Sequence, residues 1–106
     1  MAEASLDKLL SDVKAATGSD RDLDRVIFMA LGGGDGEAPP YTSSVDACID
    51  LVHRALPGWG WHVGFGPRGI VPYASLHKDE TRFEASAPTV PLALLAAALA
   101  ARRRGA

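Results

Sequence analysis

Apolar and polar positions along this chain follow two periods, and the switch from one to the other marks out its elements. Leu6, Leu9, Leu10 and Val13 recur at helical spacing behind Ser5, with Gly18 where a C-terminal cap belongs, so the spacing predicts a first helix over residues 6 to 17. A second start follows at Ser19 and Asp20. Asp22 and Asp24 fall in its positive first turn, Leu23, Val26, Ile27, Ala30 and Leu31 supply the apolar stripe, and Gly32 ends it. Residues 32 to 40 have no period and four glycines, which reads as a looping connector. A third helix follows, with Val45, Cys48, Ile49, Val52 and Leu56 as its stripe and Pro57-Gly58 as its stop. Ser43, three residues before Asp46, makes a capping box in which an acid replaces the usual Glu.

The period then changes to two. Trp59, Trp61, Val63 and Phe65 alternate with Gly60, His62 and Gly64, the pattern of a half-buried strand. A turn at Gly66-Pro67-Arg68-Gly69 sets Phe65 against Ile70, Val63 against Pro72, Trp61 against Ala74 and Trp59 against Leu76. The other face then places His62 opposite Tyr73 and Gly60 opposite Ser75, joined by Arg82, Glu84 and Ser86 of a third strand. The last helix opens near Thr89 with Pro91 in its first turn, buries Leu92, Leu95, Ala96 and Leu99, and ends in Arg102-Arg103-Arg104. The expected fold is α+β in the order α-α-α-β-β-β-α with a three-stranded antiparallel meander. Residues 1–36 form a helical segment and connector packing on a 37–106 unit of helix, three strands and helix.

The length of 106 residues, 47% of them apolar and 23% charged, fits one domain with a modest core. A formal charge of -2 supplies no global field for nucleic acid. Cys48, without a second cysteine, excludes an internal disulfide and falls on the apolar side of its helix, which suits an inert thiol in a reducing setting. Residues 1 to 5 lack the basic and apolar regions of a signal peptide, and the Ala-rich end is too short and Arg-flanked to span a bilayer. A cytoplasmic, membrane-free protein is expected.

Catalytic chemistry finds little support. Gly64-Phe65-Gly66-Pro67-Arg68-Gly69 matches GxGxxG but lies between two strands, with Val71-Pro72 where a phosphate-binding helix should start. The histidines are scattered, and Cys48 and His53 fall on different helix faces, so neither a metal nor another cofactor is expected. No nucleophile elbow or ordered triad is traceable, and capping explains the hydroxyls. The chain reads as a non-enzyme.

A binding argument remains. An up-and-down path through three strands makes the flanking helices parallel, so both hydroxyl-rich starts fall at one end of the domain, where free N–H groups favour an anion. The candidate ligand-binding residues are Tyr41, Thr42, Ser43, Ser44 and Thr89 there, with Arg68 and Arg82 as cations and Tyr73 as a stacking surface.

Tyr41-Thr42-Ser43-Ser44-Val45-Asp46-Ala47, the Pro57-Gly58-Trp59-Gly60-Trp61 strand start and Pro88-Thr89-Val90-Pro91-Leu92-Ala93-Leu94 together resemble the phage "ABA sandwich" family over residues 20 to 103. Val90, between Thr89 and Pro91, departs from the family's Thr-Pro pattern. The resemblance implies an α/β/α sandwich in a phage protein and no established activity; the helices before Gly32 would then cover the polar sheet face. The expected function is a phage-encoded binding protein that sequesters a small anionic ligand, such as a cyclic nucleotide or ADP-ribose signal of host defence. The alternatives are a structural or assembly protein without a small ligand, and a double-stranded-RNA-binding-like module whose basic cluster is replaced by Ala87-Pro88-Thr89-Val90-Pro91. A homo-oligomer is expected because Leu6, Leu9, Leu10, Val26, Ile27, Phe28 and Leu31 exceed what one small sheet face covers.

Overall fold

The computed structural model describes residues 2–32 and 36–105. Its elements are α1 (Ala2–Ala15), α2 (Arg21–Ile27) running into a π-helical turn (Phe28–Gly32), α3 (Val45–Ala55), β1 (Gly60–Phe65), β2 (Pro72–Lys78), β3 (Thr81–Ser86) and α4 (Val90–Arg103). The order, the α+β class and the antiparallel β1-β2-β3 meander are those expected from the sequence. Positions 33 to 35 of the connector lie outside the described residues.

The core is organised by α4. From Leu92 to Leu99 every residue is buried, and Ala101 with them. A helix apolar all round has to be surrounded. It packs on β2 and β3 along one side and on α1 and α3 along others. Leu9, Leu10 and Val13 of α1, Leu23 and Ile27 of α2, and Cys48, Leu51 and Val52 of α3 join Ala74 and Leu76 of β2 in one cluster around it. The single stripe expected for α4 is therefore too narrow, because alanines at the remaining positions let neighbours approach from several directions. On α3 the buried stripe turns toward Leu51, leaving Val45 and Ile49 half-buried.

The sheet keeps its expected faces, but its register slips by two residues. Phe65 pairs with Pro72, Val63 with Ala74, Trp61 with Leu76, His62 with Ser75 and Gly60 with His77. The turn is longer than expected. Gly66 N–H donates to Val71 O at 2.7 Å, Gly69 N–H donates to Gly66 O at 2.8 Å, and Arg68 and Gly69 take left-handed φ values of 68° and 63°. A slip of two moves no side chain to the other face. The apolar centre is Ala74 and Leu76 on the middle strand, both at 0% exposure, and Trp61 on edge strand β1 is 37% exposed. Trp59 leans on Phe83, ring centroids 5.8 Å apart.

One expectation from the resemblance is corrected here: α1 and α2 do not lie over the polar sheet face. Most of their apolar residues, though not Val26, are taken up by α1's packing on α4 and by the core around it. His62, His77, Arg82, Glu84 and Ser86 on the polar face are exposed.

Candidate functional site

Sequence reasoning proposed a site at the joint start of α3 and α4, and the two starts do meet. Cys48 in the first turns of α3 donates its thiol to Tyr41 O at 3.0 Å and lies 3.7 Å from Pro91 O at the start of α4. The groups gathered there are already occupied, however. Thr42 is 1% exposed; its Oγ1 accepts from the Asp20 N–H at 2.8 Å and donates to Asp20 O at 3.3 Å. The Thr42 N–H donates to Asp24 Oδ1 at 2.7 Å, and Arg21 donates to the other carboxylate oxygen of Asp24 at 2.9 Å and to Ala38 O at 2.9 Å. Asp24 is fully buried. This clasp fastens the segment before α3 to α2, so Thr42 is a structural residue. The signal for it in the sequence was Arg21 three residues before Asp24, the spacing of a helical ion pair.

Tyr41 is 3% exposed, and burial pushes its phenol above the ordinary 10.0. Ser44, not Ser43, caps α3 by accepting from the Ala47 N–H at 3.1 Å; Ser43 is exposed and its hydroxyl turns back to Pro40 O. Thr89 caps α4 as expected, accepting from the Leu92 N–H at 3.3 Å. Burial, reinforced by the Asp24 charge, pushes the Cys48 thiol up to about 12, so the protonated, unreactive form prevails near neutrality.

Tyr73 and Arg82 lie on the open polar face of the sheet. Gly60 and Gly64 of β1 face His77 and Tyr73 of β2 in register. The His77 ring lies over Gly60 where a Cβ would sit, and the Tyr73 ring packs 3.5 Å from the corresponding point at Gly64. Between them His62 Nε2 and Tyr73 OH share a hydrogen bond of 2.8 Å, ring centroids 5.7 Å apart. The glycine alternation of β1 is thus the room that a row of His77, His62 and Tyr73 rings requires. Beside the row, Arg82 donates to Glu84 at 3.0 Å along β3. Phe65, Gly66, Val71, Tyr73, Arg82, Glu84 and Ser86 line a groove of about 380 Å³, a small-ligand size.

Tyr73 and Arg82 thus line one groove of which Tyr41, Thr42, Ser43, Ser44 and Thr89 form no part, and Arg68 stays exposed on the β1–β2 turn. Phe65 and Val71 were missed because the shorter turn expected from the glycines put them elsewhere. Among the described residues no cluster of His, Cys, Asp and Glu is arranged to hold a metal ion, and no helix is long and apolar enough to cross a membrane. No protein-family model, curated protein or solved structure matches this chain.

Proposed function

We propose that this chain is a non-enzymatic binding protein whose ligand, a small anion of nucleotide type, occupies the groove on the polar sheet face. The observation that carries this reading is the coincidence, in one groove of small-ligand size, of the Tyr73 and Phe65 rings and an arginine. A planar base stacks on Tyr73 or Phe65, and its phosphate meets Arg82. Glu84 is no obstacle. Its bond to Arg82 is an exposed ion pair, of the kind worth at most about 1 kcal/mol, and a phosphate outcompetes it with two or more charge-assisted bonds. Capture requires affinity alone, and a nucleotide signal of host defence is the ligand proposed for sequestration by analogy with small phage proteins that act as sponges.

A thermal-shift screen of cyclic dinucleotides and ADP-ribose isomers tests the reading. A ligand at 100 times its Kd adds about 2.7 kcal/mol to stability. Arg82→Ala is expected to remove the shift while leaving the unliganded melting point nearly unchanged, and Tyr73→Ala to remove it at a lower unliganded melting point, because the Tyr73 ring packs over Gly64 and bonds to His62. If no nucleotide moves the melting curve, the groove reading falls.

A second reading, a structural or assembly protein without a small ligand, is favoured by a specific observation. Phe65, Ile70 and Val71 are 57%, 67% and 46% exposed around one end of the sheet, an apolar strip suited to another polypeptide.

A further inference from the structure

The two edges of the sheet differ. From the Gly66–Val71 bond, the period of two turns the N–H and C=O of Gly64, His62 and Gly60 toward β2 and those of Trp61, Val63 and Phe65 outward. β1 is an edge strand, and the outward groups of these three residues have no partner among the described residues. Gly60-Trp61-His62-Val63-Gly64-Phe65 contains no Lys, Arg, Asp, Glu or Pro, so it carries none of the usual guards against pairing with another strand. At the other edge, β3 carries Arg82 and Glu84, and Glu84 and Ser86 share a cleft with Val13 and Lys14 of α1. That edge is charged and flanked; the β1 edge is neutral and open.

β1 is also nearly palindromic. Its apolar face reads Trp61, Val63, Phe65, an aromatic residue on each side of a valine. We propose that two copies of this chain pair antiparallel through β1 about a two-fold axis at Val63, joining their sheets into one. In that register Val63 lies opposite the partner's Val63 and Trp61 opposite the partner's Phe65. Each of these is a hydrogen-bonded pair, so every outward N–H and C=O of the three residues finds a partner in both copies. The half-exposed aromatic rings meet as cross-strand aromatic pairs, a favoured combination. On the polar face His62 falls opposite the partner's Gly64, which has no side chain of its own. The self-complementarity identifies a second copy as the occupant, since an isologous interface requires one patch to fit itself. The partner's His62 then stands beside Gly64 and extends the aromatic row at Tyr73.

Sedimentation combined with amide hydrogen exchange tests the pairing without any ligand, so its outcome is separate from that of the groove. A dimer is expected. Exchange at Trp61, Val63 and Phe65 should slow with rising concentration to the level of His62 and Gly64, which bond to β2 in either state. Phe65→Lys should give a folded monomer with fast exchange at Trp61 and Val63, while Met29→Lys, at an 83% exposed position on the turn after α2, should leave the dimer intact. The proposal is overturned by a wild-type monomer at the highest soluble concentration. It is equally overturned by a dimer whose Trp61, Val63 and Phe65 amides stay open, or by one that survives Phe65→Lys.

Discussion

Thr42→Val removes both hydrogen bonds of the Thr42 hydroxyl to the part-buried backbone of Asp20, and losing a hydrogen bond costs about 0.5–1.5 kcal/mol. Chemical denaturation of this variant should show that loss. Ser44→Ala should cost about 1 kcal/mol as a lost cap, and Ser43→Ala less than about 0.5 kcal/mol. The sequence showed that a hydroxyl caps α3, yet Ser43 and Ser44 satisfy the same local pattern, and only the path of the preceding segment, held by the Asp24 clasp, decides which one faces the helix. Cys48 was legible as a buried thiol from its place on the apolar stripe. Its thiol is raised from an ordinary 9.0 to about 12, so the folded state holds the proton more tightly than the unfolded chain. The contribution is complete below pH 9.0 and is lost as pH rises toward about 12. Between those two values stability should therefore fall by up to about 1.4 kcal/mol per pH unit through this group alone. Between pH 9.5 and 10.5 the slope of stability against pH should be shallower in Cys48→Ala than in the wild type; equal slopes would rule the thiol out.

At the scale of elements, period and caps predicted the helices and strands well, because both are local properties of the chain. They served less well for α4, whose alanines carry no directional signal. A stripe of Leu92, Leu95, Ala96 and Leu99 would leave Ala97 facing water, yet Ala97 is 1% exposed. Ala97→Leu should thus overpack the core and destabilise by about 1–3 kcal/mol, measurable as a lowered Tm; a neutral result would place Ala97 on the surface. The β1–β2 turn was misjudged for a similar reason. Its glycines permit more than one loop length, and the pairing that buries Ala74 and Leu76 under α4 selects the longer one.

At the scale of the whole molecule, the groove and the β1 edge carry separate outcomes: a nucleotide-dependent rise in Tm that Arg82→Ala removes, and a dimer that Phe65→Lys dissolves. The apolar surplus of α1 and α2 first suggested an oligomer, but most of that surface is absorbed within the core around α4, and the exposed strip lies on the sheet instead. The sequence by itself determined the elements, their order, the two faces of the sheet and the burial of Cys48, since each follows from spacing within one element. Tertiary structure alone decided that Thr42 and Tyr41 are enclosed and that the N-terminal helices gather around α4. It alone left Tyr73 and Arg82 in an open groove. Those outcomes depend on which surfaces compete for the same apolar partner. An all-apolar α4 presents more surface to cover than the sheet provides, so it draws the other helices to itself and leaves the polar face of the sheet to solvent.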